Sequence, residues 1–211
     1  MNKIALGILV VTVITMVGCR KEPVNNLTES ESRIYITNHD SSINFASYTT
    51  YSIADSVAVI DGNQHGIQYN NTDAAFVNAI KANMQQLGYQ QVPRSASPDL
   101  GLSVSRIIST STGIINYNDY WNDYGSFYDP YYWGYSGYGY GYPAWGFAVY
   151  EIKEGLLSVD MVDLKNATAN NNKVNVIWNG MIRGSGIFNS NVAANQVNQL
   201  FAQSPYISKN Q

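Results

Sequence analysis

"NTDAAFVNAIKANMQQLGYQQVPRSASPDLGLSVS", residues 71–105, changes its apolar period midway, and that change decides the fold class. In the first half Phe76, Ile80, Met84 and Leu87 recur at helical spacing with Val77 beside them, the pattern of a helix that buries one face. Thr72 or Asp73 can accept hydrogen bonds from the free amides at its start, and Gly88 offers a left-handed stop. In the second half Leu100, Leu102 and Val104 alternate with Gly101, Ser103 and Ser105, which predicts a strand with one buried face.

Upstream, "RIYITN" places Ile34 and Ile36 on one side and Tyr35 on the other. "SYTTYSIAD" is β-branched and aromatic, predicting a strand over 47–53, and "GNQHG", 62–66, reads as a loop. Downstream, "AVYEIKEGLLSVDMVDL" predicts a strand over 148–164, "KNATANNNK" a polar turn, and "VNVIWNGMIRG" its hairpin partner. Val192, Val197, Leu200 and Phe201 then mark a helix over 191–203, stopped by Pro205. Strands with two helices, not in regular βαβ alternation, imply an α+β fold: an antiparallel or mixed sheet with both helices on one face, plus a long Tyr/Trp/Gly-rich loop.

The N-terminus, "MNKIALGILVVTVITMVGCRKE", joins basic Lys3 to an apolar run from Ile4 to Val17. That run falls short of the ~20 residues a membrane span needs and suits a signal peptide. It ends at Gly18 and Cys19, the single cysteine. "MVGC" resembles the bacterial lipobox, with Met16 where Leu is usual. The resemblance implies a leader over 1–18, cleaved after Gly18, and acylation of Cys19. Acyl chains contribute ~0.8 kcal/mol per buried CH₂, so membrane lipid held through Cys19 is the expected first partner. A short transmembrane anchor with an incidental cysteine is the bland alternative. No Asp follows at 20 to favour inner-membrane retention, so the outer membrane is expected, its periplasmic or surface face left open. Residues 19–32, polar and rich in Asn, Glu and Ser, read as a flexible tether, and 33–211 as one domain with an aromatic insertion at 117–147.

With Cys19 acylated no disulfide is possible, so packing alone must hold the fold. The formal charge of −3 becomes −4 once Lys3 leaves with the leader, and no Lys/Arg run exists, which argues against nucleic acid as a partner.

The order of "INFASYTTYSI", "AFVNAIKANMQQLGY", "SPDLGLSV" and "KEGLLSVDMVDLKN…VNVIWNGMIRG", closed by a helix near Pro205, resembles the bacterial lipoproteins grouped as domain of unknown function 4136. The resemblance runs from Ile43 to Tyr206 and departs from the family pattern at "QSPY", where Phe-Pro is usual. It implies a lipobox, an aromatic insertion before the "G-x-L-x-x-D" strand, and no assigned activity, hence no catalytic residues to carry over.

Chemistry-bearing residues are few. His39 and His65 lack a second ligand at metal spacing and read as solvated loop residues. Asp160 and Asp163 suggest an acid/base pair, but residues an odd number apart on a strand face opposite sides. "RGSG", with Arg183, could hold an anion in its backbone amides, though a simple strand exit is the favoured reading. Asn118, Asp119, Asn122 and Asp123 offer oxygen ligands without an EF-hand rhythm. No nucleophile elbow, P-loop or dinucleotide fingerprint occurs, so neither a cofactor nor a metal is implied and an enzyme of envelope polymer is the weaker alternative.

The segment 117–150 holds eleven of the seventeen tyrosines and three of the four tryptophans. It has no sustained period, so it reads as a loop that folds over the sheet, as a contact surface for an envelope protein or glycan, or as an interfacial lipid contact. As a contact surface its candidate residues are Trp121, Tyr128, Tyr131, Tyr132, Trp133, Tyr138 and Trp145. The function expected is a non-catalytic binding or scaffolding role for a lipid-anchored envelope protein.

Overall fold

The structure, a computed structural model, describes residues 28–109, 114–116, 128–142, 149–151 and 155–209. Among the described residues ten strands run in chain order: β1 Ile34–His39, β2 Thr50–Asp61, β3 Gln64–Gln68, β4 Gln90–Gln91, β5 Leu100–Ser109, β6 Ile114–Asn116, β7 Gly139–Gly141, β8 Val149–Glu151, β9 Leu156–Asp163 and β10 Lys173–Arg183. The α-helices of the described residues, α1 Asn71–Gln86 and α2 Ser190–Ala202, join them. Eight strands form one mixed sheet in the order β1-β10-β9-β5-β2-β3, with β4 beside β2 and β7 beside β10; β6 and β8 make a separate pair. The fold is α+β.

β2 and β5 are parallel, and the chain returns between them through β3, α1 and β4. β5, β9, β10 and β1 then pair antiparallel in succession. Parity along each strand sorts the side chains. Leu100, Leu102, Val104, Leu157, Val159, Met161, Trp178 and Ile182 join one core with Phe76, Ile80 and Met84 of α1 and Val197, Leu200 and Phe201 of α2. Trp178, fully buried, stacks on Phe201 at 5.5 Å between ring centres, and its indole N–H donates to Ser204 Oγ at 2.9 Å. The helices are also bridged by Asn83, whose Nδ2 donates to Asn198 Oδ1 at 2.8 Å.

Several local expectations are corrected. The cap of α1 is Asn70 rather than Thr72 or Asp73. Its Oδ1 accepts from the amides of Thr72 at 2.9 Å and Asp73 at 3.1 Å, while Asp73 Oδ2 accepts from the Asn70 amide at 3.0 Å. This reciprocal capping box satisfies donors at both positions. Asp73, buried, also lies 3.6 Å from Arg106 Nε. Gly88 does end the helix region, at φ 92.

"GNQHG" is not a loop throughout: Asp61 pairs with Gln64, so Gly62 and Asn63 form a two-residue hairpin turn and β3 begins at once. The strand expected over 148–164 is two strands in different sheets, β8 and β9, and Gly155 between them has φ 123, open to glycine and strained for other residues. The strand expected to end at Ile53 continues to Asp61. Its register against β5 slips between Ile53 and Val57, a bulge that lies just past the expected end and carries the strand on.

The largest correction concerns β5. Gly101, Ser103 and Ser105, expected on a solvent face, are all buried, as is every residue of β9. The sheet is covered on both sides. Opposite the helices a second core gathers Ala58, Ile60, Ile107, Leu156, Val162, Val174, Val176 and Met181 with Tyr128 and Trp133 from the aromatic insertion.

Candidate functional site

The aromatic segment 128–142 is a cap over the second sheet face, and its sequence explains its shape. In "YDPYYWGYSGYGYGY" Asp129 Oδ1 accepts from the Tyr132 amide at 2.9 Å, and the amides of Trp133 and Tyr135 reach back to the Pro130 carbonyl. Gly134 and Gly137, at φ 91 and 79, close the two successive turns, which is why glycine recurs between the rings. β7 then adds Gly139–Gly141 as a parallel strand beside β10.

Trp133 anchors the cap. It is 4% exposed, and its indole lies over Gly101: a Cβ there would stand 3.0 Å from Trp133 Cε2 and 2.9 Å from Val162 Cγ2. Tyr128, 3% exposed, donates its hydroxyl to the Ser56 carbonyl at 2.6 Å. Tyr135 donates to the Leu164 carbonyl at 2.6 Å, and Tyr140 donates to the Tyr128 carbonyl. The Tyr138 hydroxyl lies 3.2 Å from Thr168 Oγ1. A buried tyrosine needs such partners for its polar tip. Burial pushes the Tyr128 and Tyr140 phenols well above the usual tyrosine range.

Beneath the cap lies a polar stripe of Ser103, Ser105, Ser158, Asp160 and Asn179, all buried. Asn179 Nδ2 donates to Asp160 Oδ1 at 2.6 Å and to Ser158 Oγ at 2.9 Å. Asp163 belongs elsewhere, at the strand end, where its carboxylate accepts from the Asn166 amide at 3.0 Å and from Asn166 Nδ2 at 2.8 Å. The two aspartates therefore do not converge. Arg183 closes β10, opposite Ile34 and Leu156. His39 stacks on Tyr206 at 3.7 Å, and His65 lies on edge strand β3. Among the described residues no group of three His, Cys, Asp or Glu could hold a metal.

Where the cap meets β2 the bulge shapes the surface. It thrusts Asp55 and Ser56 outward, and Tyr132 donates its hydroxyl to Asp55 Oδ1 at 3.1 Å. Tyr132 stands edge-on to both Tyr128 and Trp133, at 5.2 and 4.9 Å. From the far side, Arg94 lies over the Tyr132 ring at 4.0 Å while Nη1 donates to the Tyr132 carbonyl at 2.8 Å. This Arg94–Tyr132 stack is a wall between two open clefts. One, about 520 Å³, is lined by Ser52, Asp55, Gln91 and Pro93; the other, about 630 Å³, by Ser95, Asp129, Tyr131 and Gly134. Tyr131 is 73% exposed.

The structure thus divides the candidate contact residues. Tyr131 and one side of Tyr132 face the clefts, and Tyr138 is half-buried against the β9–β10 turn. Tyr128 and Trp133 are core residues, because their rings fill the space over Gly101 and the bulge; Trp133, though buried, also borders the second cleft. Cys19, Trp121 and Trp145 lie outside the described residues, as do Asn118, Asp119, Asn122 and Asp123. Arg94, Asp55 and Asp129 escaped the sequence reading. The pair "DP" at 129–130 was a visible turn signal, but nothing in "VPRSAS" ties Arg94 to a tyrosine 38 residues away.

A family model described as a domain of unknown function, DUF4136, matches residues 36–206. The fold is similar to the crystal structure of a DUF4136 family protein from Bacteroides thetaiotaomicron VPI-5482, with 28% identity and a TM-score of 0.70 over 85% of this chain and 99% of that one. No curated protein matches.

Proposed function

We propose, from the premise that the chain belongs to the DUF4136 family, that it is a lipid-anchored outer-membrane protein with a non-catalytic binding role. Its contact surface is the pair of clefts on either side of the Arg94–Tyr132 stack. The observation that carries this reading is where those clefts lie relative to the point at which the tether joins the domain.

Thr28–Ser32 forms a hydrogen-bonded turn, and Glu29, Ser32 and Arg33 pack against Gly184 and Gly186. That is the end of the sheet where Arg183, Leu156 and Ile34 meet. Arg94 follows β4, which pairs with Thr50 and Tyr51 at the opposite end. The eight residues of β9 separate the two ends by roughly 25 Å at ~3.3 Å per residue. Acylation at Cys19 would tether the domain by the first end, with the clefts at the end remote from the attachment.

Removing the whole insertion is a poor test, since Tyr128 and Trp133 belong to the core. Point changes at exposed positions avoid this. The intact protein should retain a component of detergent-solubilised envelope that the Arg94→Ala/Tyr131→Ala double variant loses at unchanged denaturation midpoint. Radiolabelled palmitate should enter the parent and not the Cys19→Ser protein. Equal retention by the double variant removes the clefts from the reading, and unlabelled parent removes the anchor.

A further inference from the structure

We infer that the ligand of the two clefts is a neutral oligosaccharide lying across the Arg94–Tyr132 wall; this rests on the binding role proposed above. Three features of the lining select that chemistry.

The first is the mixture of surfaces. A sugar ring presents a C–H face and a rim of hydroxyls, so it needs an aromatic plane beside hydrogen-bonding groups. Tyr131, 73% exposed, offers a plane in one cleft, and the partly buried Tyr132 ring borders both. Tyrosine gives such contact area at small conformational cost. Neither cleft has the enclosed apolar lining expected for a lipid tail or another wholly apolar ligand.

The second is pre-orientation of the planar polar groups. Arg94 is fixed by its ring contact and by one hydrogen bond from Nη1. A guanidinium carries five donors, so most of its fork remains for a ligand. Asp55 and Asp129 each commit Oδ1 to Tyr132, one to its hydroxyl and one to its amide. Each carboxylate keeps an oxygen to accept from sugar hydroxyls. Groups held this way lose little freedom when a ligand arrives.

The third is charge. One arginine and two aspartates line the clefts, leaving a net negative wall. That disfavours a uronate, phosphate or other anionic polymer and leaves a neutral one. The extent fits as well: at about 520 and 630 Å³, each cleft is of small-ligand size, and a chain crossing the shared wall would occupy both.

The test uses the purified full chain in detergent on an immobilised panel of neutral hexose and N-acetylhexosamine oligomers, two to six units long, beside matched uronate oligomers. A neutral oligomer should be retained, with affinity rising about tenfold or more from two units to four as the second cleft fills. Tyr131→Ala and Arg94→Ala should each weaken it about tenfold or more, and Arg94→Lys should restore only part, since a single ammonium cannot replace the planar fork. No retention of any neutral oligomer, or preference for the uronates, overturns the inference. If envelope capture still depends on Arg94 and Tyr131 in that case, the ligand is an anionic glycan where the uronates are retained and a protein where no oligomer is, and the binding role stands. If that dependence is absent too, both readings fall.

Discussion

The two faces of the central strands are held by different means. On the helix side Leu157, Val159 and Met161 of β9 meet two regular helices in a large apolar core, edged by buried Asn83, Gln196 and Ser204. On the other side Ser158 and Asp160 lie between Leu156 and Val162, beneath a cap of turns fixed by one tryptophan and several tyrosine hydroxyls. The first face is stabilised chiefly by area removed from water, which is large and indifferent to direction. The second depends on a few directed bonds and one deep anchor, so it should open as a local unit at lower cost. A contact site built on the cap can adjust while the helix side keeps the fold.

Alkali should give the largest effect, because it acts on both faces. Tyr51 and Tyr89, pushed up by burial to about 12 from 10.0, belong to the helix-side core, and Tyr128 and Tyr140 of the cap are pushed further up. A phenol with a raised folded pKa contributes stability that is complete below pH 10 and is lost as pH climbs toward 12. Ellipticity should therefore collapse in that window together with a sharp rise in tyrosinate absorbance. A tyrosinate rise at constant ellipticity would mean these rings are not buried as described.

Trp178→Ala probes the helix face alone. Losing its stack on Phe201 and its bond to Ser204 should cost about 3–5 kcal/mol in urea denaturation. Gly101→Val probes the cap face. The new side chain would occupy the Trp133 seat, costing about 1–3 kcal/mol. Amide exchange should accelerate over 130–139 while α1 keeps its protection. If exchange rises equally in α1, the two faces are one cooperative unit and the contrast drawn here fails.

Smaller effects sharpen the picture. Asn70→Ala removes the side-chain half of the α1 capping box and should cost about 1 kcal/mol. Tyr131→Ala should leave stability within about 0.5 kcal/mol, since the ring is 73% exposed, while weakening retention of envelope material.

The helix-side architecture was legible because its signals are local. Phe76, Ile80 and Met84 repeat at helical spacing, Leu100, Leu102 and Val104 alternate, and the structure places both sets in one core. Asp160 and Asp163 were separated correctly by strand parity alone. The cap face was illegible for the converse reason: a serine under a tyrosine cap and a serine in water look alike in a chain. Gly101, Ser103 and Ser105 are small because something packs over them, and that something lies about thirty residues downstream.

The sequence by itself determined the α+β class, the two helices and their apolar faces, and the concentration of aromatic rings in one insertion, because periodicity and composition are properties of neighbouring residues. Only the tertiary structure decided which rings are core and which are surface. Trp133 and Tyr128 are buried, Tyr131 is open, and Arg94 stands against Tyr132. Those outcomes follow from a bulge in β2, a glycine in β5 and two turns in the insertion meeting at one place. Burial is decided by what covers a residue, and chain-distant segments supply that cover.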